Sequence, residues 1–289
     1  MPAELPAFPS ESTSCWSTLA VATAGLSHVE KTPPMPCQDA AGGVAAPRPA
    51  LVLADGAGSS PASDLGARTL VSAMLRLADT LETQLAWLLD GREAPTADAV
   101  AQLAGLLVRH AKGTLHDRAA EQCRPVRDLR CTLLLALIGR ERLLWLKVGD
   151  GELVLERAVP VSAAQETQDA VDEEAELMPR LCTLGERGKG EFANQTLFVD
   201  ERLAFEQVQY GIETTTALTG IALMSDGAAE KLVAFDGGQV SGQLSHWLDD
   251  LRRGKLRQRD LIRRFYSENF CRGTSGDDRS IALVARDLP

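Results

Sequence analysis

Five acidic positions punctuate the chain where carboxylates can be brought together. Asp55, Asp150 and Asp226 each close an apolar run and are each followed by glycine, in Leu51-Val-Leu-Ala-Asp55-Gly56, Leu146-Lys-Val-Gly-Asp150-Gly151 and Leu223-Met-Ser-Asp226-Gly227. Asp39, in Gln38-Asp39, and the pair Asp277-Asp278 adjoin apolar or β-type segments. A lone Asp-Gly marks an ordinary turn at the end of a strand. Five acidic sites of this kind in one domain point instead to a cation cluster. Gathered carboxylates repel one another, so protons or cations must neutralise them. Hard oxygen ligands with no histidine or cysteine pattern select Mg²⁺ or Mn²⁺ over zinc. A bridging aspartate with a glycine carbonyl can hold two such ions about 3.5–4 Å apart, and water shared between them becomes a nucleophile toward phosphorus. Gly56 suits that role because a residue without Cβ lets its backbone approach an ion.

Other chemistries fit poorly. Ser59 and Ser60 follow Gly58, but there is no G-x-S-x-G elbow, no GxxxxGK[ST] loop, and Gly56-Ala-Gly58 is too short for a dinucleotide fingerprint. His110 and His116 lie six apart and do not share a helix face well. The six cysteines show no CxxC pair and no zinc spacing, which reads as reduced thiols in a cytoplasmic protein. The net charge of −10 argues against nucleic acid as a partner. No apolar run is long enough to span a bilayer, so no membrane partner is expected. The Pro- and Ser-rich amino end lacks the basic and apolar regions of a secretion signal.

The elements that must position these acids follow from periodicity. With 289 residues, 45% hydrophobic and 24% charged, the chain reads as one globular domain over 15–289 behind a flexible segment, 1–14. Strands are expected at 17–24, 50–54, 195–199, 204–208, 220–225 and 280–285, and an antiparallel meander at 129–138, 142–148 and 152–156. Residues 25–38 read as a loop. A helix is expected from Ser63 or Asp64 to about Leu89, and a second one capped by Thr96. Glu230 to Phe235 reads as the possible start of a helix, and amphipathic helices follow at 241–253 and 256–270. The acid-rich stretch 163–178 reads as a mobile loop, or as an adjustable flap beside a cleft.

In order and strand context, Gln38-Asp39, Asp55-Gly56-Ala-Gly58, Gly149-Asp150-Gly151, Ser225-Asp226-Gly227 and Asp277-Asp278-Arg-Ser280 resemble the metal-dependent type 2C protein serine/threonine phosphatases. Pro36-Cys-Gln-Asp-Ala40 and Asp64-Leu-Gly-Ala-Arg68 resemble a bacterial branch. The resemblance spans Ser17 to Val284. It implies an α+β fold, a four-layer α-β-β-α sandwich of two antiparallel sheets flanked by helices, with a site for two Mn²⁺ or Mg²⁺ ions. It further implies that Asp55 bridges both ions, that Gly56 offers its carbonyl, and that Asp226 and Asp277 complete one shell. Asp39 would hold the other ion directly or through water, and Asp150 a third, weaker ion. The implied activity is hydrolysis of phosphoserine and phosphothreonine by a dinuclear metal-activated water, on a phosphorylated protein made by a cognate kinase. Three departures stand out. Gln38 replaces the usual glutamate, and Ala57 stands where animal members place a histidine acid. No arginine precedes the first motif to grip phosphate, and His28 or Lys31 is the candidate substitute. A catalytically weak sensor or binding module, or a phosphatase of small phosphomonoesters, are the alternatives.

Overall fold

A computed structural model of the chain describes residues 16–161, 177–186, 196–234 and 236–287. Ten strands divide into two antiparallel sheets. The first contains β1 (Ser17–Thr23), β6 (Glu152–Pro160), β7 (Leu177–Leu184), β9 (Leu218–Met224) and β10 (Arg279–Ala285), in the order β1-β10-β9-β6-β7. The second contains β2 (Ala40–Val44), β3 (Ala50–Ala54), β4 (Leu133–Ile138), β5 (Arg142–Val148) and β8 (Gln209–Thr214), in that order.

Side-chain alternation turns these strands into layers. Along β3, Ala50, Val52 and Ala54 pack toward the helices, while Leu51 and Leu53 pack toward the facing sheet. β4 divides the same way, with Leu133, Leu135 and Leu137 on one side and Leu134, Ala136 and Ile138 on the other. Strands buried on both faces need no polar alternation, which is why they appear in the sequence as unbroken apolar runs. The second sheet is covered by α2 (Ser63–Thr80), α3 (Glu82–Leu89) and α4 (Ala97–Glu121), through Leu70, Met74, Leu85, Leu107 and Leu115. The first is covered by α6 (Gln243–Arg252) and α7 (Gln258–Phe265), through Leu244, Trp247, Leu248, Leu261 and Phe265. Burying each such side chain contributes about 1.5–3 kcal/mol. Three apolar layers between four structural ones form the α-β-β-α sandwich.

One charged cluster sits inside the layer beneath α6. Glu156 on β6 is fully buried, accepts from Thr219 Oγ1 at 2.9 Å, and pairs with Nη2 of Arg252. Short helices complete the fold: α1 (Leu26–Val29), α5 (Asp226–Ala229) and α8 (Glu268–Cys271).

Several expectations change. The helix expected to reach Leu89 breaks at Leu81, whose backbone leaves the helical range (φ −89°, ψ 13°), and the turn brings Leu85, Leu88 and Leu89 onto the same core. Thr96 caps α4 as expected, accepting from Ala99 N at 3.2 Å. The meander is not one sheet: β4 pairs with β5, but β6 crosses to the other sheet and pairs with β7 and β9. Residues 204–208 form a 3-10 turn at Phe205–Gln207 rather than a strand, and Val199 makes only an isolated bridge to Cys131. The segment 25–38 includes α1, and α5 precedes the helix start expected at Glu230. Residues 1–14 and 163–176 of the expected flexible segments lie outside the described residues, whereas Leu177 and Met178 open β7. Among the described residues no helix is long and apolar enough to cross a membrane.

Candidate metal centre

The acidic motifs meet at one end of the sandwich. A cleft of about 290 Å³ is lined by Asp55, Asp150, Asp226, Asp277 and Asp278, together with His28, Gly56 and Phe198. Asp55 leaves the end of β3, and its backbone is pinned to the strand beside it: Asp55 N donates to Thr132 Oγ1 at 2.9 Å, and Thr132 N donates to Asp55 O at 2.7 Å. Gly56 bridges Cys131 in the same register. A Cβ on Gly56 would stand 2.7 Å from Gln38 O and 2.8 Å from Ser63 Cβ, so the packing admits only glycine.

Asp226 opens α5 directly after β9, and its Oδ1 accepts from Gly227 N at 2.6 Å. Asp277 precedes β10 and is exposed, with Oδ1 accepting from Asp278 N at 2.8 Å. Asp150 sits in the Gly149–Gly151 turn that carries the chain from one sheet to the other, and Thr196 Oγ1 donates to its Oδ2 at 2.6 Å. Gly149 holds φ +110°, a conformation open to glycine and few others.

Two expected site residues occupy different settings. Asp39 does not line the cleft; it lies buried behind it, where neither carboxylate oxygen has a hydrogen-bond partner among the described residues. The hydroxyls of Ser280 and Ser225 ease its charge without reaching hydrogen-bond geometry. His28 does line the cleft, and is 6% exposed. Lys31 is exposed and its Nζ contacts Met35 Sδ at 3.0 Å. The acid after Asp277 is differently employed: Asp278 accepts from Gly25 N at 2.8 Å and Gln38 N at 2.5 Å. It ties three loops together. Gln38 also lines the cleft, and its Nε2 donates to Ser63 Oγ at 2.8 Å.

Electrostatics set these carboxyls apart from surface acids. Burial pushes Asp39 up to about 7, reinforced by repulsion from Asp278 and Asp226. Burial likewise raises Asp226 to about 6, with Asp150 and Asp277 adding to it. Asp55 is raised well above the ordinary range by burial and then by Asp39, Asp226, Asp150 and Asp277. Such a set holds protons or binds cations. Its all-oxygen donors, the partnerless oxygens of Asp39 and the close backbone at Gly56 fit hard divalent ions. Burial also drives the thiols of Cys37 and Cys131 far above their usual range, which excludes them as thiolate nucleophiles.

Residues 24–259 match the family model described as Protein phosphatase 2C. The chain belongs to the protein phosphatase 2C family. Dependence on manganese or magnesium is characteristic of this family. The fold recurs in solved phosphatases of low identity. The catalytic domain of the serine/threonine protein phosphatase PstP, solved with two manganese ions, is 17% identical with a TM-score of 0.56, over 94% of this chain and 99% of that one. Stp1 from Staphylococcus aureus is 13% identical with a TM-score of 0.55, over 98% and 100%. PstP/Ppp from Mycobacterium tuberculosis is 16% identical with a TM-score of 0.54, over 95% and 100%. Comparison with curated protein sequences returned no match.

Sequence reasoning missed the residues that position the acids. Thr132 and Thr196 each place one hydroxyl on an acidic motif, and nothing in their local sequence distinguishes them from strand or loop threonines.

Proposed function

We propose that this protein is a metal-dependent phosphatase acting on phosphoserine and phosphothreonine in proteins. One observation carries the reading: Asp55, Asp150, Asp226 and Asp277, from four separate parts of the chain, converge on a single cleft. Family membership supports the reaction class. The residues assigned to hold two divalent ions are Asp55 as the bridge, the carbonyl of Gly56, and Asp226 with Asp277. Asp39, buried and outside the cleft lining, would hold the other ion directly or through water, and Asp150 would serve a third, weaker site. When bound, such ions activate water for attack on phosphorus and neutralise the phosphoryl oxygens.

The chain's own residues do the rest. The Asp55–Thr132 backbone pair fixes the bridging carboxylate before substrate arrives, which limits reorganisation during reaction. Among the described residues lining the cleft, His28 is the one able to carry positive charge, and it is assigned to contact the phosphate in place of an arginine. Ala57 is buried and its N–H donates to Arg130 O at 3.0 Å, so it holds the loop and contributes no acid. The partner implied is a phosphoprotein, opposed by a serine/threonine kinase in a cytoplasmic signalling cycle.

The test is hydrolysis of a phosphothreonine peptide with Mn²⁺, beside Asp55→Asn and Asp226→Asn. Loss of turnover in both variants is expected. Full activity in both would sink the metal assignment, and turnover no greater than without metal would favour a binding module.

A further inference from the structure

The cleft is lined by five aspartates in a chain of net charge −10, yet its proposed substrate is an anion. A second cation stands at its edge. Arg130 lies between Leu129 and Cys131, both fully buried, and its carbonyl accepts from Ala57 N, so its backbone is locked beside the Asp55–Gly56 bend. The side chain is held as firmly. Nε donates to Ser60 Oγ at 3.3 Å and to Arg127 O at 3.2 Å, and Nη2 donates to Ser59 Oγ at 3.3 Å. The guanidinium also sits 5.7 Å from the ring centroid of Phe198, which lines the cleft.

All of these partners are neutral. Arg48, Arg68, Arg118, Arg157 and Arg252 pair with carboxylates, but Arg130 has no carboxylate within 4.0 Å among the described residues. Nη1 has no protein acceptor among them either. A guanidinium fixed by neutral groups keeps its charge and a donor edge for an incoming oxyanion. Arg130 does not itself line the cleft, and Phe198, which it contacts, forms part of the cleft wall. Its reach is therefore to the polypeptide around the phosphorylated residue, not to the scissile phosphoryl group.

Resting on the phosphatase reading above, we propose that Arg130, braced by Ser59, Ser60 and Phe198, is a specificity residue that selects phosphopeptides carrying an acidic side chain next to the phosphorylated residue.

The experiment compares kcat/KM for phosphothreonine peptides flanked on both sides by Glu or by Gln, with a small aryl phosphate as reference. It uses the Mn²⁺-loaded full chain and its Arg130→Ala, Arg130→Gln and Arg130→Lys variants. In the wild type the Glu peptide is expected to be favoured about fivefold, through KM, as one solvent-exposed charge pair allows. The preference should vanish in Arg130→Ala and Arg130→Gln and partly survive in Arg130→Lys. An unchanged preference in Arg130→Ala or Arg130→Gln overturns the proposal. An equal loss on every substrate, the aryl phosphate included, also overturns it and places Arg130 on the scissile phosphoryl group. Wild-type turnover without charge preference removes this inference alone, whereas no wild-type turnover removes the phosphatase reading beneath it.

Discussion

The Nδ1 atom of His28 lies 2.8 Å from Oδ1 of Asp278, and both side chains are almost wholly withdrawn from water. Asp278 also receives two backbone N–H groups, so the same carboxylate sits against the imidazole and anchors the loops on either side of it. His28→Ala should lower kcat/KM on a phosphopeptide about tenfold to hundredfold, mainly through KM, as expected for a lost hydrogen bond to a charged group. His28→Asn should recover part of it. Asp278→Ala should cost about 2–4 kcal/mol in urea unfolding, because two buried amides lose their acceptor. A change confined to kcat in His28→Ala would contradict the phosphate contact.

Asp55→Asn should affect metal binding and stability in opposite directions. Calorimetry should show Mn²⁺ affinity reduced by more than about 100-fold, beyond what losing an outer-shell partner costs. The metal-free variant should nevertheless melt higher than the metal-free parent at pH 7.5. It removes a carboxyl whose charged form is opposed first by burial and then by Asp39, Asp226, Asp150 and Asp277. A lower melting point would show that the cluster is not repulsive.

The metal-free protein should lose stability as pH rises. Burial places Asp39 and Asp226 at about 7 and about 6 in the folded state, above the ordinary aspartate value of 3.8. Between those limits the native state binds more protons than the unfolded chain, so the slope of unfolding free energy with pH is negative. The advantage is complete below about pH 4 and fades through pH 6 and 7. Thermal melts in chelator should show Tm falling from pH 5 to pH 7.5, at about 2–4 °C for each kcal/mol. Asp226→Asn should flatten the fall and Mn²⁺ should reverse it. A flat or rising Tm in the metal-free parent counts against the assignment.

Gly227→Ala should separate two acidic motifs. A Cβ there would stand 2.2 Å from the carbonyl oxygen of Asp278, a backbone atom with little freedom to yield. A loss of about 1–3 kcal/mol is expected, with weaker Mn²⁺ binding because Asp226 and Asp277 are pushed apart. Unchanged calorimetry would show that the two loops can slide.

Arg252→Met should destabilise the protein far from the cleft. It leaves Glu156 fully buried with Thr219 as its remaining side-chain partner, at a cost of about 3–5 kcal/mol. Adding Glu156→Leu should recover most of the loss, since an apolar pair of similar volume removes the stranded charge. Failure of the double variant to recover would mean that packing, not charge, dominates there.

The central strands were legible in the sequence, and three of the four edge strands were not. β3 and β4 announce themselves as Ala50-Leu-Val-Leu-Ala54 and Leu133-Leu-Leu-Ala-Leu-Ile138 because both faces are buried. β2, β7 and β8 went unread, and each is the last strand of its sheet. Edge strands carry the residues that blur a strand signal: two glycines in β2, Pro179 and Arg180 in β7, Gly211 in β8. The acids were readable because all but Asp39, which stands between Gln38 and Ala40, sit at a strand end beside glycine or a second acid. The task of Asp278 was not, since nothing in the dipeptide tells which of its two carboxylates is taken up by backbone amides 240 and 253 residues away.

The crossing at Gly149–Gly151 has a wider consequence. Asp55 belongs to one sheet, Asp226 and Asp277 adjoin the other, and Asp150 rides on the turn between them. The acidic cleft thus lies on the seam along which the two sheets are joined. Whatever neutralises these acids also fastens the halves, so the set of the sheets and the spacing of the reacting groups form a single adjustable quantity. A substitution that shifts one sheet against the other retunes the chemistry without touching any residue in the cleft.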